Sequence, residues 1–129
     1  MGNEGRCIES PESDIEKEMT IFGKIIAGKL PCEKVFENER ILAIKDRYPA
    51  APVHILIMPK KEIPNIQSIE PEDFPLIGEI IQIVQQIAEE NGISDGYRLL
   101  TNNGPNAGQT IFHLHFHLIG GKVLSHKMG

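Results

Sequence analysis

Between His113 and Gly121 the chain reads His-Leu-His-Phe-His-Leu-Ile-Gly-Gly, an alternation of imidazole with large apolar side chains that only an extended strand can exploit. Successive side chains of a strand point to opposite faces. A strand over residues 110–119 therefore predicts that His113, His115 and His117 share one face, with Leu114, Phe116 and Leu118 anchoring the other. Three of the five histidines in the chain are committed to a single surface. Imidazole exchanges a proton near neutral pH more readily than any other side chain. A row of such groups has little value as packing, so the row is read as a site.

The bulk properties narrow the partners. At 129 residues and 40% hydrophobic, the chain suits one domain with one core. A formal charge of −5 supplies no basic field for a nucleic acid, although a few local donors still suffice to hold one phosphate. Cys7 and Cys32 are too far apart for a metal-type pair, and two cysteines make no disulfide framework in a chain this long. Two free thiols in a reducing cytoplasm are expected. The polar start lacks the apolar segment of a secretory leader, Arg6 stands where a myristoylation motif wants Ser or Thr, and the run 53–59 is too short to span a bilayer. No membrane partner is expected.

Residues 1–13, rich in Gly, Glu, Ser and Pro, read as a flexible tail ahead of a single domain over 14–129. Ile15, Met19, Phe22 and Ile26 recur at helical spacing, which predicts an amphipathic helix from Asp14, with Ser13 or Asp14 as N-cap, ending before Pro31. Strands follow at 34–37 and 41–45, with Asn38-Glu39-Arg40 as the turn. A proline-studded loop, 46–52, leads to a buried strand at 53–58 closed by Pro59, in which His54 is the only ionisable residue. Pro71 and Pro75 bracket the start of a second helix whose wide apolar face is Ile77, Ile81, Val84 and Ala88, with Leu76, Ile80, Ile83 and Ile87 beside them, and Asn91-Gly92 cap its end. A strand at 97–101, a loop at 102–109 and the histidine strand complete an α+β domain, an antiparallel sheet of about five strands carrying two helices. His126 falls in a polar tail and reads as solvated.

Metal binding and phosphoryl chemistry compete for the histidines. Strand positions four apart are roughly 13 Å apart, whereas two nitrogens on one zinc ion lie within roughly 3.5 Å, so His113 and His117 do not share an ion. A His-x-His pair with His54 remains conceivable, but the sequence shows no acidic or thiolate companion nearby. Covalent phosphoryl transfer suits the pattern better. A neutral imidazole is a good nucleophile, and an adjacent imidazole can act on the leaving group. The small residues of the preceding loop let backbone N–H groups approach a phosphate, with Asn102, Gln109 and Thr110 as side-chain donors.

The triad, with Gly108-Gln109-Thr110 just before it, closely resembles the histidine triad family, in its branch of histidine triad nucleotide-binding proteins that act as nucleoside phosphoramidases. The resemblance runs from Thr20 to Gly121 and includes Thr20-Ile21-Phe22-Gly23-Lys24-Ile25-Ile26, Ala51-Pro52-Val53-His54, Pro59-Lys60-Lys61 and Gly96-Tyr97-Arg98. It implies that His115 attacks the α-phosphorus and carries a nucleotidyl group, that His117 contacts the phosphate, and that His54 and His113 support them. It places Asn102, Gly108, Gln109 and Thr110 at the phosphate, and Asp46 at the ribose hydroxyls. It assigns the base pocket to Ile21, Phe22, Ile25, Ile44 and Leu56, although the same residues would serve equally as plain core. Ile44 stands where relatives commonly carry an aromatic, Thr110 replaces a frequent Ser, and the tail 122–129 does not match. Gly23 and Glu62 occupy two places where some bacterial relatives hold structural zinc, so neither a metal nor a cofactor is expected.

The implied substrate is a purine nucleoside 5′-phosphoramidate of the AMP amide class. The implied assembly is a homodimer, with the sheet continued across a two-fold through the strand at 97–101 and the second helix. A dinucleoside polyphosphate hydrolase, a non-catalytic nucleotide-binding or scaffold protein, and a metal-dependent hydrolase stand as the alternatives.

Overall fold

The computed structural model describes residues 19–127, so the N-terminal tail, Cys7 and the proposed helix start at Asp14 lie outside the described residues. The first described helix, α1, is Ile21–Ile26. Thr20, with extended backbone, is its N-cap, and the Thr20 hydroxyl accepts the Gly23 N–H at 2.9 Å. This corrects the single helix expected from Asp14. The extended backbone at Thr20 means the helix that carries Phe22 and Ile26 starts there, whatever precedes it.

Five strands follow: β1 (Lys34–Glu37), β2 (Ile41–Lys45), β3 (Val53–Pro59), β4 (Tyr97–Leu100) and β5 (Phe116–Gly120). They form one antiparallel sheet in the order β1-β2-β3-β5-β4, which leaves β1 and β4 as edges. Asn38 makes the first hairpin, its side-chain oxygen accepting both the Arg40 and the Ile41 N–H at 2.8 Å. Helix α2 (Phe74–Glu90) enters from a tight turn at Pro71–Asp73. It ends in a Schellman motif, with Gly92 at φ +69°, Gly92 N–H on the Glu89 carbonyl and Ile93 N–H on that of Ala88.

Strand alternation divides the core in two. Ile41, Ala43, Ile55, Ile57, Phe116 and Leu118 face α2, where they meet Ile80, Ile83, Val84 and Ile87. Leu42, Ile44, Leu56 and Met58 face the other way, against Phe22 of α1. Strands β2 and β3 are buried on both faces, which is why they read as unbroken apolar runs. The register pairs Leu56 with His117, setting that imidazole next to the α1-side apolar wall.

The histidine segment departs from expectation, because the last strand begins at Phe116 and not at Thr110. The residues before it are held by the segment that follows β3. The Leu114 N–H bonds to the Ile63 carbonyl at 2.7 Å, and a His113 ring nitrogen meets the Pro59 carbonyl at 2.7 Å. Alternation still sends Leu114 into the α2-side core with Phe116 and Leu118.

At the end of β5, Gly120 sits between β3 and β4, and a Cβ there would meet Ile93 Cδ1 at 2.8 Å and the Gly96 carbonyl oxygen at 3.3 Å. The isoleucine tip can yield but the carbonyl cannot. Gly120→Ala should therefore destabilise the fold by about 1–2 kcal/mol, at the lower end of overpacking costs, measured as a shift in the urea midpoint.

Candidate active site

A cavity of about 460 Å³ opens between α1, the α1-side face of the sheet and the loop 102–111, a volume within the usual range for small-ligand sites. Ile21, Phe22, Ile25, Ile44 and Leu56 form its apolar wall. Ile44, Leu56 and Phe22 also belong to the α1-side core, so wall and core are one set of residues. His115 and His117 line the opposite side, together with Asp46, Asn102, Gly108, Gln109 and Thr110. His54 and His113 stand behind the cavity and do not line it. The expectation of three histidines on one open face is corrected: His113 is only 1% exposed.

Backbone groups set the tautomers. The Ala50 N–H points at His54 Nδ1 at 2.9 Å, so Nδ1 accepts and the His54 proton resides on Nε2. That Nε2–H meets His117 Nδ1 at 2.9 Å, which makes His117 an acceptor at Nδ1 and leaves its own proton on Nε2. His115 Nδ1 lies 2.7 Å from the His113 carbonyl and must donate to it, leaving His115 Nε2 with a bare lone pair. His113 donates Nε2–H to the Pro59 carbonyl, and its buried Nδ1 has no partner among the described residues. The rings of His115 and His117 lie 5.2 Å apart, and Phe22 contacts His115 edge-on at 4.7 Å.

Burial disfavours the charged form of both cavity histidines. It holds His115 below the ordinary imidazole range, with only partial opposition from the His113 carbonyl. His117 is pushed down to about 4 by burial first and by the neighbouring His115 and His54 next. Both rings are neutral at pH 7, so one offers a lone pair and the other an N–H.

Asp46 supplies the acidic companion absent from the local sequence. Its Oδ2 lies 3.4 Å from His54 Nε2, and one ligand atom each from Asp46, His54 and His117 falls within 4.8 Å of the others. Spacing alone would suit a zinc ion. The chemistry does not, because a metal needs the lone pair of His54 Nε2, and that nitrogen carries the proton while Nδ1 accepts the Ala50 N–H. The donor set therefore does not fit a resident metal.

The loop at 102–111 is shaped by Gly104 and Gly108 at φ +88° and +90°, conformations that strain any residue with a Cβ. Gln109 is 4% exposed and its amide is fully engaged, accepting from Gly104 N–H at 2.7 Å and donating to the Pro64 and Ile111 carbonyls at 2.8 and 3.0 Å. This corrects its expected role as a side-chain donor to phosphate. Gln109 braces the loop instead. Among the described residues, the Asn102 amide and the Thr110 hydroxyl make no hydrogen bond, and both line the cavity, which leaves them as the open donors.

Sequence reasoning missed Cys32, Glu33, Lys45, Arg47, Tyr48 and Ile111, which also line the cavity. Arg47 and Tyr48 follow Asp46 directly, a signal that was legible. Cys32 and Glu33 arrive through the pairing of the Lys45 N–H with the Glu33 carbonyl at 2.9 Å, which nothing local announces.

The chain is similar to known proteins over most of its length. The HIT domain family matches residues 27–124. A HIT-like protein of Chlamydia pneumoniae is 57% identical over 106 residues, covering 82% of this chain and 96% of the relative. The solved structure of a HIT family hydrolase from Clostridium thermocellum superimposes with a TM-score of 0.82 at 46% identity, covering 86% and 97% of the two chains. A histidine triad nucleotide-binding protein from Candida albicans superimposes with a TM-score of 0.70 at 28% identity, covering 85% and 86%.

The depressed histidines carry a stability consequence. An imidazole ordinarily near 6.5 and held at about 4 when folded binds fewer protons in the folded than in the unfolded chain between those values. Its stabilising contribution is complete above pH 6.5 and is lost as pH falls through about 4. The melting temperature should drop on acidification across this window, and thermal melts of His117→Gln should show a shallower drop than the unaltered chain.

Proposed function

Because this chain belongs to the HIT domain family, we propose that it hydrolyses the P–N bond of purine nucleoside 5′-phosphoramidates, AMP amides in particular, through a nucleotidyl-histidine intermediate. The observation that carries this reading is the His115 ring, fixed through Nδ1 on the His113 carbonyl with Nε2 unprotonated in the cavity. In this reading the base lies against Ile44, Leu56 and Phe22, and the ribose hydroxyls meet the Asp46 carboxylate. Asn102, Thr110 and the backbone at Gly108 receive the phosphate oxygens.

The His117 Nε2–H donates to the anionic phosphate, and the amide nitrogen of the substrate takes up a proton from solvent before it departs. His115 Nε2 attacks phosphorus, the P–N bond breaks, and the protonated nitrogen leaves as a neutral amine. Water then attacks phosphorus, the proton that the water loses returns to solvent, and the phosphorus–His115 bond breaks to release the nucleotide. Atoms and charge return to the starting state. A positioned hydrogen-bond donor to an oxygen that gains charge contributes about 10² to 10³ in rate.

The homodimer belongs to the same proposal. Among the described residues, strand β4 is an edge whose outer backbone groups have no strand partner, and Arg98 donates to the Ser125 carbonyl at 2.6 Å, bringing the C-terminal segment beside it. Val123 is 97% exposed and shares a groove with Tyr97 and Arg98, an apolar side chain suited to cover. We assign the activity to the cytoplasm, in keeping with the free thiol at Cys32. Among the described residues no helix is long and apolar enough to cross a membrane.

Two measurements test this reading. Incubated with an AMP amide, the chain should release AMP and show a nucleotidyl adduct by mass spectrometry after acid-free quenching. His115→Ala should lower turnover by more than about 10³-fold, while a chelator leaves the rate unchanged. Turnover confined to dinucleoside polyphosphates, or binding without turnover, would replace the reading. In sedimentation velocity the chain should run as a dimer, and a proline at Leu99, which removes a backbone donor from β4, should shift it toward monomer.

A further inference from the structure

Resting on the nucleotide reading above, we propose that Tyr48 is a specificity-determining residue whose ring closes over the purine base at the mouth of the cavity. Among the described residues, two aromatic side chains other than histidine line this cavity, Phe22 and Tyr48. Phe22 is 5% exposed and presents its contact to His115, and the remaining inner wall is the aliphatic set Ile21, Ile25, Ile44 and Leu56. A purine in this pocket meets methyl and methylene groups on its inner face. The open ring face belongs to Tyr48, which is 82% exposed.

An exposed aromatic on a loose loop would mean little, but this loop is anchored on both sides. The Tyr48 N–H donates to Asp46 Oδ1 at 2.8 Å, so the carboxylate assigned to the ribose also holds the root of the tyrosine side chain. The Asp46 N–H is bonded to the His54 carbonyl at 3.0 Å, the Ala50 N–H is on His54 Nδ1, and Ala51 is buried. Pro49 restricts Tyr48 to an extended backbone. A tyrosine has only two side-chain torsions to order, so from a fixed root it can cover a ligand at little entropic cost. Base–aromatic stacking is sequence-tolerant and strong enough to matter at one contact. The ring supplies from the mouth the stacking surface that Ile44 does not supply from the wall.

The test uses the full chain, AMP and ribose 5-phosphate, the second sharing every contact except those of the base. Calorimetric titration of the unaltered chain should give tighter binding of AMP. Tyr48→Leu should weaken AMP about tenfold, equal to about 1.4 kcal/mol, leave ribose 5-phosphate unchanged, and be rescued by Tyr48→Phe. With an AMP amide as substrate, the Leu variant should raise KM by a similar factor and leave kcat within about twofold. The chain has two tyrosines and no tryptophan, and Tyr97 lies on β4 outside this cavity. AMP should therefore quench tyrosine emission in the unaltered chain and not in the Leu variant. Unchanged AMP affinity in Tyr48→Leu, or an equal loss for both ligands, overturns the proposal. A wild-type chain that binds neither AMP nor ribose 5-phosphate overturns the nucleotide reading as well, which separates the two failures.

Discussion

The hydrogen bond from His115 Nδ1 to the carbonyl of His113 is the constraint on which the site depends. An imidazole free to choose its tautomer would divide its lone pair between two nitrogens and rotate. Here a backbone acceptor at 2.7 Å takes the Nδ1 proton, so the lone pair is left on Nε2, on a ring that borders the cavity. That carbonyl is itself immobilised. The His113 ring is anchored to Pro59 at the end of β3, Leu114 to Ile63, and the His115 carbonyl accepts from the Thr101 hydroxyl at 2.7 Å. Loosening any of these strands buried polar groups, each at a cost of about 1–3 kcal/mol. The His115 ring is thus held by main-chain geometry, which side-chain variation elsewhere disturbs little.

A second chain of donors reaches the same place from the other side. Ala50 N–H, His54 and His117 form one directed sequence, and its direction is set at the start by an amide that can only donate. The same sequence decides the metal question, since it takes the one lone pair an ion would need. Burial keeps both cavity imidazoles neutral, a cost in acid stability that coincides with chemical competence at neutral pH. The two consequences share a cause: water is kept from the rings by the apolar wall that also forms part of the core.

That wall explains why the pocket needs no dedicated scaffold. Strands β2 and β3 bury both faces, so one side of each strand packs under α2 while the other becomes the floor of the cavity. Ile44 and Leu56 are core residues with one surface left for a ligand. A rigid sheet therefore supports the site directly, while the glycine loop and Gln109 set the height of the opposite side of the cavity above it.

Most of the architecture follows from local pattern. The unbroken apolar runs at β2 and β3, the alternation at β5, the Asn38 turn and the Asn91-Gly92 cap are dictated by residue pattern and backbone preference, which act within a few residues. The histidine row, its alternation with Leu114, Phe116 and Leu118, and the placing of His115 and His117 beside a small-residue loop were equally readable. What stayed hidden involves partners distant in the chain. The delayed start of β5 comes from bonds to Pro59 and Ile63, the retreat of His113 from the cavity comes from the first of these, and the bracing by Gln109 needs Pro64. The acidic neighbour of His54 and the cavity position of Tyr48 likewise emerge only when the loop after β2 folds back on β3. Residue types and their spacing specify which faces are buried and which chemistry is on hand. Proton placement, by contrast, is a property of hydrogen bonds between segments, and it comes into being with the packed chain.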